Sequence, residues 1–366
     1  MPSTLTQHWV WIAPLAAILL FGAGMMLPAH PLVALLLFVG LLGAVIAGVH
    51  HAEVVAHKVG EPFGTLVLAL AITVIEASLI VSLMLAGGEP STELARNTLF
   101  ATIMIICNGV VGLCLLVGAT RYGEQAFGVQ GAGTAFSVLI ALAVMTLVLP
   151  VFTTSTPGAT FSVPQLVFAG LSSLVLYGMF VFVQTIKHRD YFLPPTAAIA
   201  KGEAAAVEEH APPPSARTAW LSFALLFVCL VAVVGIAKVL APTVEQAVIA
   251  ANAPHAVVGI VIALLVLLPE TWAALRAARA DRLQTSFNLA YGSALASIGL
   301  TIPVVVVVAV FLRLPLVLGV SSKELVLLAL TFVVSILTLA TGRTNVLQGT
   351  VHLVIFVAFL FLSLFP

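Results

Sequence analysis

Long apolar runs, broken by short polar stretches, occupy most of this chain. Eleven runs fall at approximately 9–27, 31–49, 63–86, 97–119, 134–154, 164–186, 219–240, 254–275, 284–311, 323–340 and 346–364. A run of about 20 residues is the length that carries a helix across the ~30 Å hydrocarbon core of a bilayer. The runs are apolar all round, whereas the strands of a membrane barrel alternate over segments of about 10 residues. A lipid-embedded segment must satisfy its own backbone hydrogen bonds, which a helix does. The pattern therefore predicts an all-α integral membrane protein of about eleven transmembrane helices.

The segment 187–217, KHRDYFLPPTAAIAKGEAAAVEEHAPPPSAR, departs from this pattern. It is rich in Ala, Pro and charge and has too little apolar content to fold alone, so it reads as a flexible cytoplasmic linker. With the first helix (residues 1–30) set aside, five helices precede the linker (31–186) and five follow it (218–366). An odd number per half makes the halves enter the membrane in opposite directions, the arithmetic of an inverted repeat. The halves also match weakly in sequence. Aligning GTLVLALAITVIEASLI (64–80) with VGIVIALLVLLPETWAA (258–274) places Glu76 on Glu270, and in the next helices Thr98, Phe100 and Gly112 fall on Thr285, Phe287 and Gly299.

Composition narrows the class. Hydrophobic residues make up 61% of the 366 positions and charged residues 8%, against roughly 25% charged in soluble domains. Formal net charge is zero, which gives no basic surface for nucleic acid. Cys107, Cys114 and Cys229 lie inside apolar runs and read as packing residues, not as a disulfide framework. No Lys or Arg precedes the first run, and no cleavage site is evident, so that run reads as a membrane helix and not a signal peptide. With the N-terminus on one side, ten Lys and Arg residues fall there and four opposite, the linker supplying much of the excess. The positive-inside rule then predicts the N-terminus in the cytoplasm and the C-terminus outside.

Of the fourteen acidic residues, only Glu76 and Glu270 sit well inside apolar runs. An ionisable group at a helix centre costs about 2.5–3.5 kcal/mol on insertion scales and usually marks an ion or proton path. The alternative, a protonated glutamate in an interhelical hydrogen bond, explains one such residue better than a mirrored pair. Two carboxylates neutralise one divalent cation or take two protons instead. Burial disfavours the charged form, so each group is able to hold a proton and yield it to an arriving cation. Competition for the same oxygens then couples the two fluxes. Pro269 removes an intrahelical hydrogen bond just before Glu270. Thr73, one turn before Glu76, and Ser78 are candidate ligands, with back-bonding to helix carbonyls as the competing reading. Asn108, Asn288, Ser293 and Ser297, on the helices that follow each glutamate, are further candidates, against a purely packing role for small residues.

HHAEVVAHKVGEP (50–62) concentrates titratable groups. Its spacing is not the HExxH arrangement of zinc enzymes, and a solvated amphipathic turn at the cytoplasmic face is the plainer reading. Glu53, His57 and Glu61 are candidates for proton entry or regulation, since histidine titrates near neutral pH. His352 in the last run reads as a hydrogen-bonded packing residue, and WAALRAARADRLQ (272–284) as a headgroup anchor. There is no GxxxxGK[ST] for ATP-driven pumping and no GxSxG elbow. The chain reads as a transporter and not an enzyme, with no cofactor. Its expected partners are inorganic cations, protons and the bilayer, and nothing fixes an oligomeric state.

These residues resemble the calcium/cation antiporter superfamily, and within it the cation/proton exchangers, nearest to the bacterial calcium/sodium/potassium–proton antiporters. AEVVAHKVGEPFGTLVLALAITVIEASLI is similar to that family's first signature, a Gly-Glu turn leading into a helix with the binding glutamate. GSALASIGLTIPVVVVV is similar to the end of the second. The resemblance covers nearly the whole chain. It implies alternating access, a bacterial inner-membrane location, Glu76 and Glu270 as cation and proton ligands, Glu53 and Glu61 as acidic positions near the first signature, and Gly292 and Ser293 as the second signature's Gly-Ser. Where calcium exchangers carry Gly-Asn before each glutamate, this chain has Ile72 and Thr73, then Val266 and Leu267, and Ala296 replaces a glutamine. Calcium takes six to eight oxygens, so the resemblance implies exchange of Ca2+ with weaker calcium affinity or broader acceptance of Na+ and K+. The rival readings are a sodium-coupled exchanger on the same scaffold, a membrane-embedded metalloenzyme using the 50–62 histidines, and a passive channel.

Overall fold

The structure, a computed structural model, describes residues 5–27, 30–60, 63–86, 92–193, 214–250 and 254–365. Helices account for nearly all of it. Ten are long and apolar enough to cross a membrane, and an eleventh span is counted if one bent pair of helices is taken together. The chain divides into two compact bodies, Met1–Leu94 with Ala211–Val258, and Ala95–His210 with Gly259–Pro366. Each body draws helices from both sides of the central segment.

The first body holds α1 (Leu5–Met26), α2 (Pro31–Val59), α3 (Phe63–Ala86) and α9 (Ala216–Ala250). Helix α2 packs against the other three, and its sequence explains why. Gly40, Ala44, Gly48, Ala52 and Ala56 recur at every fourth position and are all buried, forming a column of small residues on one side of the helix. Lipid supplies no hydrophobic drive between helices, so close van der Waals approach must hold them. A Cβ built on Gly40 would lie 2.7 Å from Leu20 Cδ1, and one on Gly48 would lie 3.1 Å from Ile75 Cδ1. The Ser82 hydroxyl adds a bond to the Val234 carbonyl at 3.2 Å, tying α3 to α9.

Helix α2 is ten residues longer than the apolar run ending at residue 49 suggests. The stretch expected to form a solvated turn continues as helix to Val59 and stops at Gly60, whose φ of 78° favours glycine. Ala52 and Ala56 extend the buried column through it. His51 is 1% exposed; its Nε2–H donates to the Val10 carbonyl at 2.9 Å, and its ring lies 5.7 Å from that of Trp11. Only Glu53, Lys58 and Val59 are exposed between residues 50 and 59.

The second body contains the remaining elements. One span is made of α4 (Leu94–Met104), a π-helical turn (Ile105–Val110) and α5 (Val111–Tyr122). Next come α6 (Val129–Ala143), a second π turn (Val144–Val148) and the short α7 (Leu149–Phe152). Helix α8 (Val163–Phe182) runs into a third π turn (Val183–Lys187) and a 3-10 turn at Arg189–Phe192. After the central segment lie α10 (Ala256–Val266), α11 (Leu268–Arg279), α12 (Leu283–Leu312), α13 (Ser322–Ala340) and α14 (Val346–Leu364). The linker expected over 187–217 thus begins as folded chain through residue 193, while residues 194–213 lie outside the described residues.

Helix α12 packs against α5, α6, α8 and α11. At its crossing with α8, a Cβ on Gly299 would meet Tyr177 Cβ at 2.6 Å. Phe136, Phe287 and Tyr291 build an aromatic core between α6 and α12, with Phe136 and Tyr291 centroids 5.5 Å apart. One end of this body is stitched by polar bonds. Strand β1 (Gln125–Ala126) pairs antiparallel with β2 (Arg343–Thr344). Gln125 Nε2 donates to Asp281 Oδ1 at 2.7 Å, and the Gly128 N–H donates to Gln284 Oε1 at 2.7 Å.

Candidate functional site

Glu76 stands in the middle of α3, an unbroken helix without proline. It is 2% exposed although it carries a carboxyl group. Thr73, three residues earlier and on the same face, is buried too, and Ser78 is half-buried. The first body therefore presents a carboxyl and a hydroxyl together inside a membrane-length helix.

Glu270 is mounted differently. Helices α10 and α11 meet at Leu267 with a bend of 55°. Pro269 lies at the second position of α11 and has no N–H to give to the Leu265 carbonyl, which explains the break. Glu270 follows in the first turn of α11, where a helix carries positive partial charge and unspent N–H groups. Both carboxylate oxygens are withdrawn from the surface although the residue as a whole is half-buried. The Thr271 hydroxyl bonds back to the Leu267 carbonyl at 2.7 Å and tightens the new turn.

The arm before the break is fixed on α4. A Cβ on Gly259 would lie 2.9 Å from both the Asn97 Cβ and the Thr98 backbone N, so only glycine permits this crossing. Thr98 and Thr102, one turn apart on α4, are buried polar groups in the same body as Glu270. In the sequence Thr98 stands out only as a repeat match. Asn97 is buried beside it and accepts from the Arg96 guanidinium at 3.0 and 2.9 Å.

The other sequence candidates divide. Ser297 is buried on α12, and Ser293 is half-buried one turn before it. Both asparagines are spent inside the protein. Asn288 donates to the Phe192 carbonyl at 2.7 Å and accepts from Gln284 Nε2 at 2.9 Å. Asn108 donates to Thr331 Oγ1 at 2.9 Å and meets His352 Nδ1 at 3.2 Å. In the 50–62 stretch Glu53 is exposed and His57 half-buried, while Glu61 lies outside the described residues. Among the described residues no three His, Cys, Asp or Glu side chains come together as a metal site.

A buried carboxyl on a membrane-length helix and a second at a helix break, in a chain of ten or eleven candidate spans, mark a multi-pass membrane protein, and comparison with known proteins places it more closely. The chain belongs to the sodium/calcium exchanger protein family, which matches residues 29–186 and 221–365. It is 47% identical over 365 residues to the putative ionic transporter y4hA of Sinorhizobium fredii (strain NBRC 101917 / NGR234), covering 98% of this chain and 96% of that one. It is 35% identical over 349 residues to the sodium-potassium/proton antiporter ChaA of Escherichia coli (strain K12), covering 95% and 93%. The crystal structure of the H+/Ca2+ exchanger CAX has the same fold, with a TM-score of 0.71 at 13% identity, covering 98% of this chain and 89% of that one. The resemblance read from the two signatures thus holds at the level of the family: the protein is an all-α integral membrane protein of an ion-exchanger family, a transporter and not an enzyme.

Proposed function

We propose that the protein expels cytoplasmic cations in exchange for protons by alternating access, with Glu76 and Glu270 as the carboxylates that carry either a proton or a cation. The observation that carries this reading is the burial of Glu76 in the middle of an uninterrupted membrane-length helix. A carboxyl there has to be neutralised by a proton or a cation, and alternation between the two is antiport. Glu270 complements it with a carboxylate at a helix break, the kind of interrupted helix on which secondary transporters build their sites. Thr73, Ser293 and Ser297 remain the side-chain hydroxyl ligands of the proposal. Asn108 and Asn288 serve as framework, since their carboxamides are engaged within the protein.

Na+ and K+ are the first cations of the proposal, with Ca2+ as an accepted divalent. The 35% identical relative is a sodium-potassium/proton antiporter by name, and the apolar residues before each glutamate leave fewer side-chain oxygens than calcium requires. The proposed setting is a bacterial inner membrane with the N-terminus inside, and the halves 31–186 and 218–366 are read as inverted repeats joined by a cytoplasmic segment.

The test is cation-dependent dequenching of a pH dye in everted vesicles, scanned over Na+, K+ and Ca2+. Glu76→Gln and Glu270→Gln should each reduce exchange by about 100-fold or more, in line with loss of a buried charged ligand, while the protein still accumulates in the membrane. Robust exchange in either variant refutes the assignment. The family's name favours one rival, sodium-coupled exchange, which requires that proton-driven transport disappear in sodium-free buffer.

A further inference from the structure

The second body contains a buried hydrogen-bonded chain remote in sequence from either glutamate. Asn108, Thr331, Thr338 and His352 are all buried, with His352 and Asn108 at 0% exposure. Asn108 lies on the π turn, the threonines on α13, and His352 on α14. The bonding pattern fixes one proton of the ring. Asn108 Oδ1 can only accept, so His352 Nδ1 carries the hydrogen at 3.2 Å. In the neutral ring His352 Nε2 then accepts from the Thr338 hydroxyl, at 3.1 Å. Asn108 Nδ2 donates to Thr331 Oγ1 at 2.9 Å, and that hydroxyl turns to Met104 Sδ at 3.5 Å. Both ring nitrogens of His352 and both ends of the Asn108 carboxamide are thus engaged within the protein.

What the chain holds is the π turn. A π turn inserts a residue into a helix at a cost in hydrogen-bond geometry and is common at functional sites. Here it joins α4 to α5, and the bent α10–α11 pair lies along this span. Helix α10 crosses α4 at Gly259, against Asn97 and Thr98, while α11 packs against α5 and the π turn itself. Glu270 is in the first turn of α11. The break at Leu267 and Pro269 uncouples that turn from α10, so its placement depends on the surface under it. His352 cannot shift to compensate for a change there. Its Cβ lies where a Cβ on Gly112 would come within 2.9 Å, and Gly349, one turn earlier, would meet Leu116 N at 2.6 Å.

We propose that His352 is a positioning residue for exchange: by holding Asn108 it maintains the π turn on which α11 rests, and so sets where the Glu270 carboxylate stands. The inference rests on the assignment of Glu270 as a ligand.

The test uses the full chain, purified and reconstituted in proteoliposomes with an internal pH dye, and reads the half-saturating cation concentration separately from the maximal rate per protein. His352→Leu leaves the Asn108 carbonyl oxygen buried without a donor, a change of the size that shifts an equilibrium about tenfold. The half-saturating concentration should rise by about that factor and the pH optimum should move, with the maximal rate within about threefold of the parent. His352→Asn keeps an N–H at the δ position and should restore both values to within about threefold. A purely structural role would lower the amount of protein or the maximal rate and leave half-saturation and pH optimum unchanged, which overturns the proposal. If His352→Leu does not accumulate, Thr331→Val, which removes the acceptor of Asn108 Nδ2, should raise half-saturation by about threefold, and an unchanged value there also overturns it. Glu270→Gln in the same vesicles separates the two claims: exchange persisting in that variant removes the ligand assignment itself, whereas its loss alongside a parental His352→Leu removes only the positioning role.

Discussion

Replacement of Gly349 by alanine probes a tight helix crossing in the second body, between α14 and α5. A Cβ on Gly349 would lie 2.6 Å from the Leu116 backbone N, 3.0 Å from Leu116 Cα and 3.0 Å from the Gly112 carbonyl oxygen. These are backbone atoms and cannot rotate away, so α14 must retreat from α5 by about 1 Å to restore ordinary carbon separations near 3.5–4.0 Å. Overpacking of this kind costs about 1–3 kcal/mol. The retreat also stretches the His352–Asn108 bond, now 3.2 Å, beyond hydrogen-bonding range, and the buried acceptor left behind adds about 1–3 kcal/mol. Against these, alanine gains about 0.5–1 kcal/mol of helix propensity over glycine, so the net effect is destabilising. The three cysteines are free and buried, which makes a thiol-reactive fluorophore in a thermal ramp a direct reporter of opening. Gly349→Ala should expose thiols at a clearly lower temperature than the parent. Gly133→Ala in α6 and Gly178→Ala in α8 are the controls: no atom lies within 4 Å of either Cβ position, and both should melt at or slightly above the parental temperature. Coincident melting of Gly349→Ala with these controls would refute the packing argument.

Two further outcomes follow from other interactions. His51→Leu removes the bond from that side chain to the Val10 carbonyl and should loosen α1, seen as increased protease sensitivity of the first turn of α1 and a loss of about 1 kcal/mol; His51→Gln, which keeps a donor, should behave as the parent. Pro269→Ala returns an N–H to the helix and should raise the melting temperature while lowering cation affinity in the dequenching assay, because the break that presents Glu270 is weakened.

How much of this is legible in the sequence depends on the kind of signal. The membrane helices are, because each run is apolar and of spanning length, and the bent helix is, because Pro269 announces it. The two glutamates stand out for the same reason, as isolated charges in apolar sequence. The π turns are not legible: inserting one residue into a run such as IICNGV changes no periodicity when every side is apolar. Asn108 reads as a candidate ligand because a carboxamide inside a membrane helix suggests one. Its partners Thr331 and His352 are 223 and 244 residues away, and no local pattern reveals such a pairing. The extent of α2 is obscured because His50, His51, Glu53, His57 and Lys58 look like a solvated stretch. Their polarity hides the small-residue column that continues through Ala52 and Ala56.

The irregularities of the chain are distributed in a way that bears on exchange. If the two halves descend from one repeat, their glutamate helices should break alike, yet α3 runs without interruption and α10–α11 is bent by 55°. The helix after Glu76 instead carries the π turn, whereas the helix after Glu270 runs as one element from Leu283 to Leu312. Each half therefore has a departure from regular hydrogen bonding, in the helix after the glutamate in the first half and in the glutamate helix itself in the second. In lipid such departures persist only where other protein groups or a cavity satisfy the backbone, and here the buried Asn108–His352 chain and the Gly259 crossing supply that support within one body. A regular helix fixes its glutamate through the helix's own ladder. A broken one hands that task to its neighbours, and mutations far from the carboxylate then gain leverage over it. On this reasoning Glu270, more than Glu76, is where distant substitutions should alter cation affinity.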